Sequence, residues 1–201
     1  MAFTLTGHQI PWLIRGVIAG FAGTAAMSAI YAIKHAQRPG ALGIPEVKGI
    51  NGSVGFDYDD TGVPGHIIAN ILHLPSVSDR GAGDITLALR WSYGSAFGIA
   101  HVLLRSRMSE PKPTMLFGGA LMTMTLTMFP VLGRTPPPWK WSGEVVATCV
   151  ETHLAYIVTA AVADDAMRRR NKVLGIASTA ALAAAASEAL EGAVGMQPKV
   201  P

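Results

Sequence analysis

Two ionisable side chains, Glu151 and His153, lie near the middle of an otherwise apolar stretch that runs from residue 145 to 163. If this stretch crosses a bilayer, each ionisable group must contact a protein partner or water, because hydrocarbon compensates no charge. Polar residues recur there at spacings of three and four, which places them on one helical face: Glu144, Thr148, Glu151, Thr152, Tyr156 and Thr159. We expect this face to point into a helical bundle.

A second polar pattern occurs earlier in the chain. Gly94, Gly98, His101 and Arg105 follow at spacings of four, three and four, so small residues lead to a histidine one turn before an arginine. His153 lies about 200° around its helix from Glu151, so these two side chains need partners on other helices. Tyr156 shares the face of Glu151.

These residues are compatible with three kinds of chemistry. The first is a proton or ion relay, in which Glu151 and one histidine exchange charge between loop aspartates and the cytoplasm. The second is a purely structural set of hydrogen bonds between helices. The third is a b-type haem held by His101 and His153, because such haems lie between the helices of small bundles. No other cofactor is predicted.

Three aspartates, Asp57, Asp59 and Asp60, form an acidic cluster in a segment rich in glycine and proline. Alternating carboxylates can bind calcium, but this spacing lacks the glycine and the distal glutamate of an EF-hand loop. The sequence therefore favours a solvated turn, and no metal site is predicted.

Composition and motifs exclude several classes of function. The formal net charge of +3 comes from scattered basic residues, so no cationic face is available for nucleic acid. The single cysteine, Cys149, excludes an intrachain disulfide and any multi-cysteine metal site. Motifs of the types GxSxG, HExxH and the P-loop are absent from the sequence. We therefore expect no catalytic residues and a protein that is not an enzyme.

The elements that must position these residues are apolar helices. Half of the 201 residues are hydrophobic, only 14% are charged, and the mean hydropathy is +0.35. Four stretches approach the length that crosses a bilayer, namely residues 16–33, 85–104, 114–133 and 145–163. The second qualifies only if Arg90 extends its guanidinium toward the membrane surface. The sequence predicts an all-α membrane bundle with four transmembrane helices.

Basic residues near the ends of these stretches predict the orientation. Eight of them fall on the side that holds both termini, including Arg15, Arg105 and Arg168, so both termini are expected in the cytoplasm. Residues 34–84 then form a long extracytoplasmic loop, in which residues 65–74 are an amphipathic helix on the membrane surface. Residues 1–172 make up the membrane domain, and residues 173–201 are an alanine-rich cytoplasmic tail with a helix over 173–186.

The segment FPVLGRTPPPWKW, from Phe129 to Trp141, combines a proline-rich exit from a helix with two tryptophans. It resembles the YagU-like family of small bacterial inner-membrane proteins, and the matching positions are Phe129, Pro130, Gly133, Thr135, Pro136 and Pro137. A second match comprises His153, Leu154 and Tyr156. The resemblance implies an integral inner-membrane protein with cytoplasmic termini and implies no known reaction.

The function that the sequence favours is association within the membrane. Glycine-rich faces such as Gly16, Gly20 and Gly23 let helices approach closely, which suits a homo-oligomer or an accessory subunit of a larger membrane complex. The alternatives are a proton-linked small transporter or channel that uses intramembrane glutamate and histidine, and a haem-binding membrane protein.

Overall fold

A computed structural model describes residues 10–38 and 55–195 of the chain, with side chains up to residue 181. Within these residues the protein is all-α, as predicted, and has no strand. The five helices are α1 (Trp12–Gln37), α2 (Val63–Ile71), α3 (Asp79–Arg107), α4 (Lys112–Gly133) and α5 (Gly143–Gly195), joined in part by short 3-10 helices at Tyr58–Asp60 and Pro138–Lys140. Residues 39–54 of the predicted long loop lie outside the described residues.

The chain separates into two compact units, and the functional residues considered below belong to the unit of residues 12–164. Among described residues, the other unit contains residues 10–11 and 165–195. There the Asn171 amide accepts a hydrogen bond from the Ile10 nitrogen and donates one to its carbonyl, both at 2.9 Å. Helix α5 continues without a break through residue 172, where the sequence predicts the end of the membrane domain.

Three of the described helices are long and apolar enough to cross a membrane: α1, α4 and the part of α5 from Gly143 to Ala181. They suggest a multi-pass membrane protein. Helix α3, which contains the fourth predicted span, is long enough at 29 residues but is not among the three. Its first half carries Asp79, Arg80, Asp84 and Arg90, which lower its hydropathy.

Polar residues lie inside the unit of residues 12–164, and apolar residues cover much of its outside. On α5 the exposed face repeats every four residues and consists of Val146, Val150, Leu154, Val158 and Val162. The opposite face buries Thr148, Thr152, His153 and Tyr156. A soluble bundle has the reverse pattern, whereas lipid is a suitable solvent for an apolar exterior around hydrogen-bonded polar groups.

Helices α1 and α3 pack antiparallel through glycines. A Cβ atom added to Gly16 would lie 2.5 Å from the Ile99 Cα, and one added to Gly98 would collide with the backbone of Gly16 and Gly20. Only residues without side chains allow the two backbones to approach this closely. The glycine face that suggested docking to another protein is therefore occupied by α3 of the same chain.

The proline-rich segment after α4 builds an aromatic core beside the acidic residues. Helix α4 ends at Gly133, Arg134 adopts a left-handed conformation, and the Trp141 indole donates a 2.7 Å hydrogen bond to the Pro136 carbonyl. Tyr58 packs against Phe129 and Trp141, with ring centroids 5.2 and 5.0 Å apart. This packing fixes the short 3-10 helix that carries the aspartates.

Helix α2 contributes to the same core and is less superficial than the sequence indicates. It begins at Val63, buries Val63 and Ile67 against the aromatic residues, and leaves Ile71 and Leu72 exposed. Only the end of the helix thus presents the apolar surface that was expected along its whole length.

Candidate functional site

The acidic segment is buried, which corrects the prediction of a solvated turn. Asp57 and Asp59 are 2% and 7% exposed. Asp57 caps the 3-10 helix by accepting a 3.1 Å hydrogen bond from the Asp60 nitrogen. Burial of carboxylates is tolerated only where hydrogen bonds or opposite charges replace water, and helices α1, α3 and α5 supply them here.

Asp57 is held by α1 and α5. The Tyr31 hydroxyl lies 2.8 and 2.9 Å from the two carboxylate oxygens, and Thr152 donates to Oδ2 at 3.4 Å. Burial and, second, the neighbouring charge of Asp59 together raise the pKa of Asp57 to about 8. Asp57 therefore exchanges a proton within the physiological pH range.

Asp59 and Arg90 meet at the centre of the site. Tyr93 on α3 donates a 3.0 Å hydrogen bond to Asp59 Oδ1, and Arg90 Nη2 donates to the Asp59 backbone carbonyl. The guanidinium also lies over the Tyr31 ring, 4.7 Å from its centroid. Arg90 is 7% exposed, so it points into the protein and does not extend toward a membrane surface as expected from the sequence.

Asp60 completes the acidic segment. One of its oxygens lies 2.7 Å from His35 Nε2 and accepts a 3.1 Å hydrogen bond from the Phe56 nitrogen. Its other oxygen is 3.9 Å from Arg90 Nη2. Burial raises the pKa of Asp60 despite these partners.

His153 faces this segment from α5. Its Nδ1 lies 2.7 Å from the Cys149 carbonyl, which can only accept, so Nδ1 carries a proton. The Nε2 of the neutral ring is then an acceptor, and it lies 3.0 Å from the Thr125 hydroxyl and 3.9 Å from Asp59 Oδ2. His153 thus presents an acceptor nitrogen on the side that faces Asp59.

A cavity of about 210 Å³ adjoins these groups. Its polar end is lined by Asp59, Arg90, Tyr93, Thr125 and His153, and most of the remaining wall is apolar: Met27, Phe97, Leu121, Met124 and Met128. We refer to Asp57, Asp59, Asp60, Arg90 and His153 as the cavity cluster. Among the side chains of residues 10–38 and 55–181, no three from His, Cys, Asp or Glu are arranged to hold a metal ion.

Glu151 and Tyr156 occupy different environments, although the sequence places them on one face. The Glu151 side chain is 52% exposed and pairs with Lys34 at 2.9 Å. It therefore does not point into the bundle. Tyr156 is buried, lines the cavity and donates a 2.5 Å hydrogen bond to the Gly94 carbonyl.

Arg105 belongs to a second buried cluster of charges. Its Nη1 lies 2.8 Å from Asp164 Oδ2 and donates to the Ala161 carbonyl at 2.9 Å, while its Nε pairs with Glu110. Arg15 Nε lies 3.4 Å from the other oxygen of Asp164. We refer to Arg15, Arg105, Glu110 and Asp164 as the arginine cluster.

His101 lies near the arginine cluster, and the structure does not bring it to His153. His101 Nε2 is 3.0 Å from Thr114, and His153 Nε2 is 3.0 Å from Thr125. Both threonines belong to α4. These two threonines are about 16 Å apart along α4 at 1.5 Å per residue. A haem iron would need both ring nitrogens within about 2 Å of itself, so this pair does not fit a shared haem.

Sequence reasoning missed the aspartates, Arg90 and Asp164 as members of buried sites. One available signal was the arginine itself, because a cation in an apolar helix needs a counter-ion and the acidic segment offers one. Comparisons with protein-family models, curated protein sequences and solved structures gave no match.

Proposed function

We propose that the protein is a proton-linked membrane transporter and that Asp57 and Asp59, not Glu151, are its protonation site. The observation that carries the proposal is the burial of Asp57, Asp59 and Arg90 inside a bundle with an apolar exterior, with Asp59 and Arg90 lining a cavity. Ionisable groups at such depth are costly unless they bind protons, ions or ligands.

The arrangement of neighbouring groups supports proton exchange. The pKa of Asp57, raised by burial to about 8, places its titration near neutral pH. Asp59 lies between Arg90 and His153, whose Nε2 is 3.9 Å away across the polar end of the cavity. Asp57 and Asp59 are two residues apart in one buried segment, and we expect them to share the transported proton.

In this proposal α3 is the fourth transmembrane helix, because its glycine contact with α1 and its buried Arg90 remove polar surface from the lipid. The protein is a YagU-like protein of the bacterial inner membrane with both termini in the cytoplasm. Reporter fusions after Arg170 are expected to report the cytoplasm, and fusions near Asp59 the opposite side. The reverse pattern would contradict this topology.

Proton flux into vesicles tests the proposed function. Purified protein is reconstituted with a trapped pH dye, and a potassium diffusion potential drives protons inward, in buffer alone and with small organic acids, alcohols and amines. We expect flux above that of protein-free vesicles in at least one condition, loss of it in Asp59→Asn, and retention in the matched control Glu151→Gln. Flux equal to protein-free vesicles throughout would contradict the proposal.

A second candidate function is association, as a homo-oligomer or accessory subunit. Although the glycines of α1 are occupied, α4 presents an exposed row of small residues, Gly119, Thr123 and Thr127, and a Cβ on Gly119 would meet no atom within 4 Å. Such small-residue rows promote helix contacts in lipid.

The oligomeric state in mild detergent tests this second function. We expect Gly119→Leu to weaken self-association, with Leu116→Ala on the same exposed side as the control. If the wild-type protein is monomeric and copurifies with no stoichiometric partner, the exposed side of α4 faces lipid, and this result would contradict association.

A further inference from the structure

Arg90 lines the cavity and has one buried hydrogen-bond donor without a partner in the described part of the chain. The side chain lines the cavity and is 7% exposed, yet its Nε has no hydrogen-bond partner among the described residues. Its Nη2 is occupied by the Asp59 carbonyl. A buried guanidinium donor without a partner is costly, and an acceptor on a bound molecule would satisfy it.

The cavity also limits the shape of that molecule. A benzene molecule fits a dry cavity of about 150 Å³, so about 210 Å³ has room for one ring, or a short chain, with a small polar head. The walls opposite the polar end come from methionine, leucine and phenylalanine, including Met27, Phe97 and Leu121. Methionine side chains adapt to varied apolar shapes.

We infer that the cavity binds a small amphiphilic carboxylate together with one proton, with the carboxylate head beside the Arg90 guanidinium and the proton on Asp59. This inference rests on the proposed function and names its class of substrate. A carboxylate is the acceptor that guanidinium groups bind best. Binding makes and breaks no covalent bond in the ligand, and the proton on Asp59 comes from the surrounding aqueous solution.

The charges around Asp59 require the accompanying proton. Its own segment contributes Asp57 and Asp60, α1 contributes Tyr31 and His35, α3 contributes Arg90 and Tyr93, and α5 contributes Cys149 and His153. Carboxylates already outnumber the one guanidinium among these groups. Adding a further anion is therefore favourable only if Asp59 becomes neutral, which couples binding to proton uptake.

Three ligands with the same ring and different heads test the inference: benzoate, benzyl alcohol and benzylamine. Binding to the detergent-purified protein is measured by calorimetry between pH 6 and 8. We expect benzoate to bind more tightly than the others, with an affinity that increases about tenfold for each pH unit lowered, because one proton is taken up. Preference for benzylamine or benzyl alcohol, or binding of none of the three, would overturn the inference.

Asp59→Asn provides the decisive variant because the amide imitates the protonated acid. We expect it to bind benzoate more tightly than wild type at pH 8, with an affinity that depends less on pH than that of wild type. If the ligand instead bound to the ionised Asp59 carboxylate, Asp59→Asn would abolish its binding, and this result would overturn the inference. Glu151→Gln is the control and should bind as wild type does, and thermal melting verifies that both variants are folded.

Binding and flux separate the two proposals. Flux that requires Asp59, without benzoate binding, would retain the transporter and overturn the choice of substrate class. Benzoate binding coupled to proton uptake, without flux in any condition, would retain the site and contradict transport.

Discussion

The cavity cluster and the arginine cluster both place charged side chains inside the protein, but among the described contacts the carboxylates outnumber the guanidinium groups only in the cavity cluster. In the arginine cluster two guanidinium groups face two carboxylates, and both oxygens of Asp164 have a cationic neighbour. The cavity cluster has three carboxylates and one guanidinium, which donates to the Asp59 carbonyl and lies 3.9 Å from Asp60, and a cavity adjoins Asp59 and Arg90. Paired charges of the first kind connect helices, whereas an unbalanced set beside open space is suited to gain and lose protons or ligands.

The two clusters lie at different levels of the same bundle. Arg15 and Tyr31 are about 24 Å apart along α1, and Arg90 and Arg105 about 22 Å apart along α3, at 1.5 Å per residue. Helix α1 thus supplies Arg15 to the arginine cluster near its start and contacts the cavity cluster through Tyr31 near its end. This separation lets each cluster be perturbed without direct contact with the other.

The largest expected effect comes from removing the shared carboxylate of the arginine cluster. Asp164→Asn leaves Arg15 and Arg105 buried without their common counter-ion, so we expect a loss of about 3–5 kcal/mol in the free energy of unfolding. The measurement is unfolding in mixed detergent micelles. The control is Asp84→Asn at an exposed position of α3, which should change stability by less than about 0.5 kcal/mol. Equal effects would mean that the arginine cluster is not structural.

The glycine contact between the two clusters should be the next most sensitive. Gly98→Ala forces a methyl group into the backbone of α1, and overpacking of this kind costs about 1–3 kcal/mol. Gly119→Ala, where a Cβ meets no atom within 4 Å, is the matched control and should be neutral or stabilising. If Gly98→Ala were equally neutral, α1 and α3 could not be as close as described.

The cavity cluster should give the protein a stability that falls as the pH rises toward 8. Burial raises the pKa of Asp57 to about 8, whereas an unfolded aspartate titrates near pH 4. The folded state therefore binds more protons between these values, and the free energy of unfolding falls as the pH rises from about 4 to about 8.

Asp57→Asn should reduce that slope by up to about 1.4 kcal/mol per pH unit, the value for one proton. Melting temperatures of wild type and variant between pH 5 and 8 measure the difference. The remaining slope is expected to keep the same sign, because burial also raises the pKa of Asp60. Parallel profiles for the two proteins would show that Asp57 does not carry the effect.

Sequence periodicity was sufficient to predict the helices but not to predict which residues form the buried site. Runs of apolar residues predicted α1, α4 and the start of α5, because length and hydropathy are local properties. The acidic segment was placed in solvent because aspartates are usually exposed, and three occur within four residues here. Their partners Tyr31, Arg90 and Thr152 come from three separate helices, and only the tertiary packing brings these together.

Glu151 shows the same limit from the other direction. Its spacing from Thr148 and Thr152 placed it on the buried face, but a helical face is broad and Glu151 lies at its edge, next to Lys34 of α1. Local spacing cannot distinguish the centre of a polar face from its margin when the neighbouring helix is unknown.

Neutralising Glu151 should therefore have the smallest effect of all. Its pair with Lys34 has a 52% exposed carboxylate, and ion pairs of this exposure contribute about 0–1 kcal/mol. We expect Glu151→Gln to lower the melting temperature only slightly and to leave both the pH slope of stability and any proton flux unchanged. Loss of flux in this variant, with Asp59→Asn still active, would show that the protonation site is Glu151 and not the cavity cluster. The cavity cluster would then have a structural role only, as the arginine cluster does.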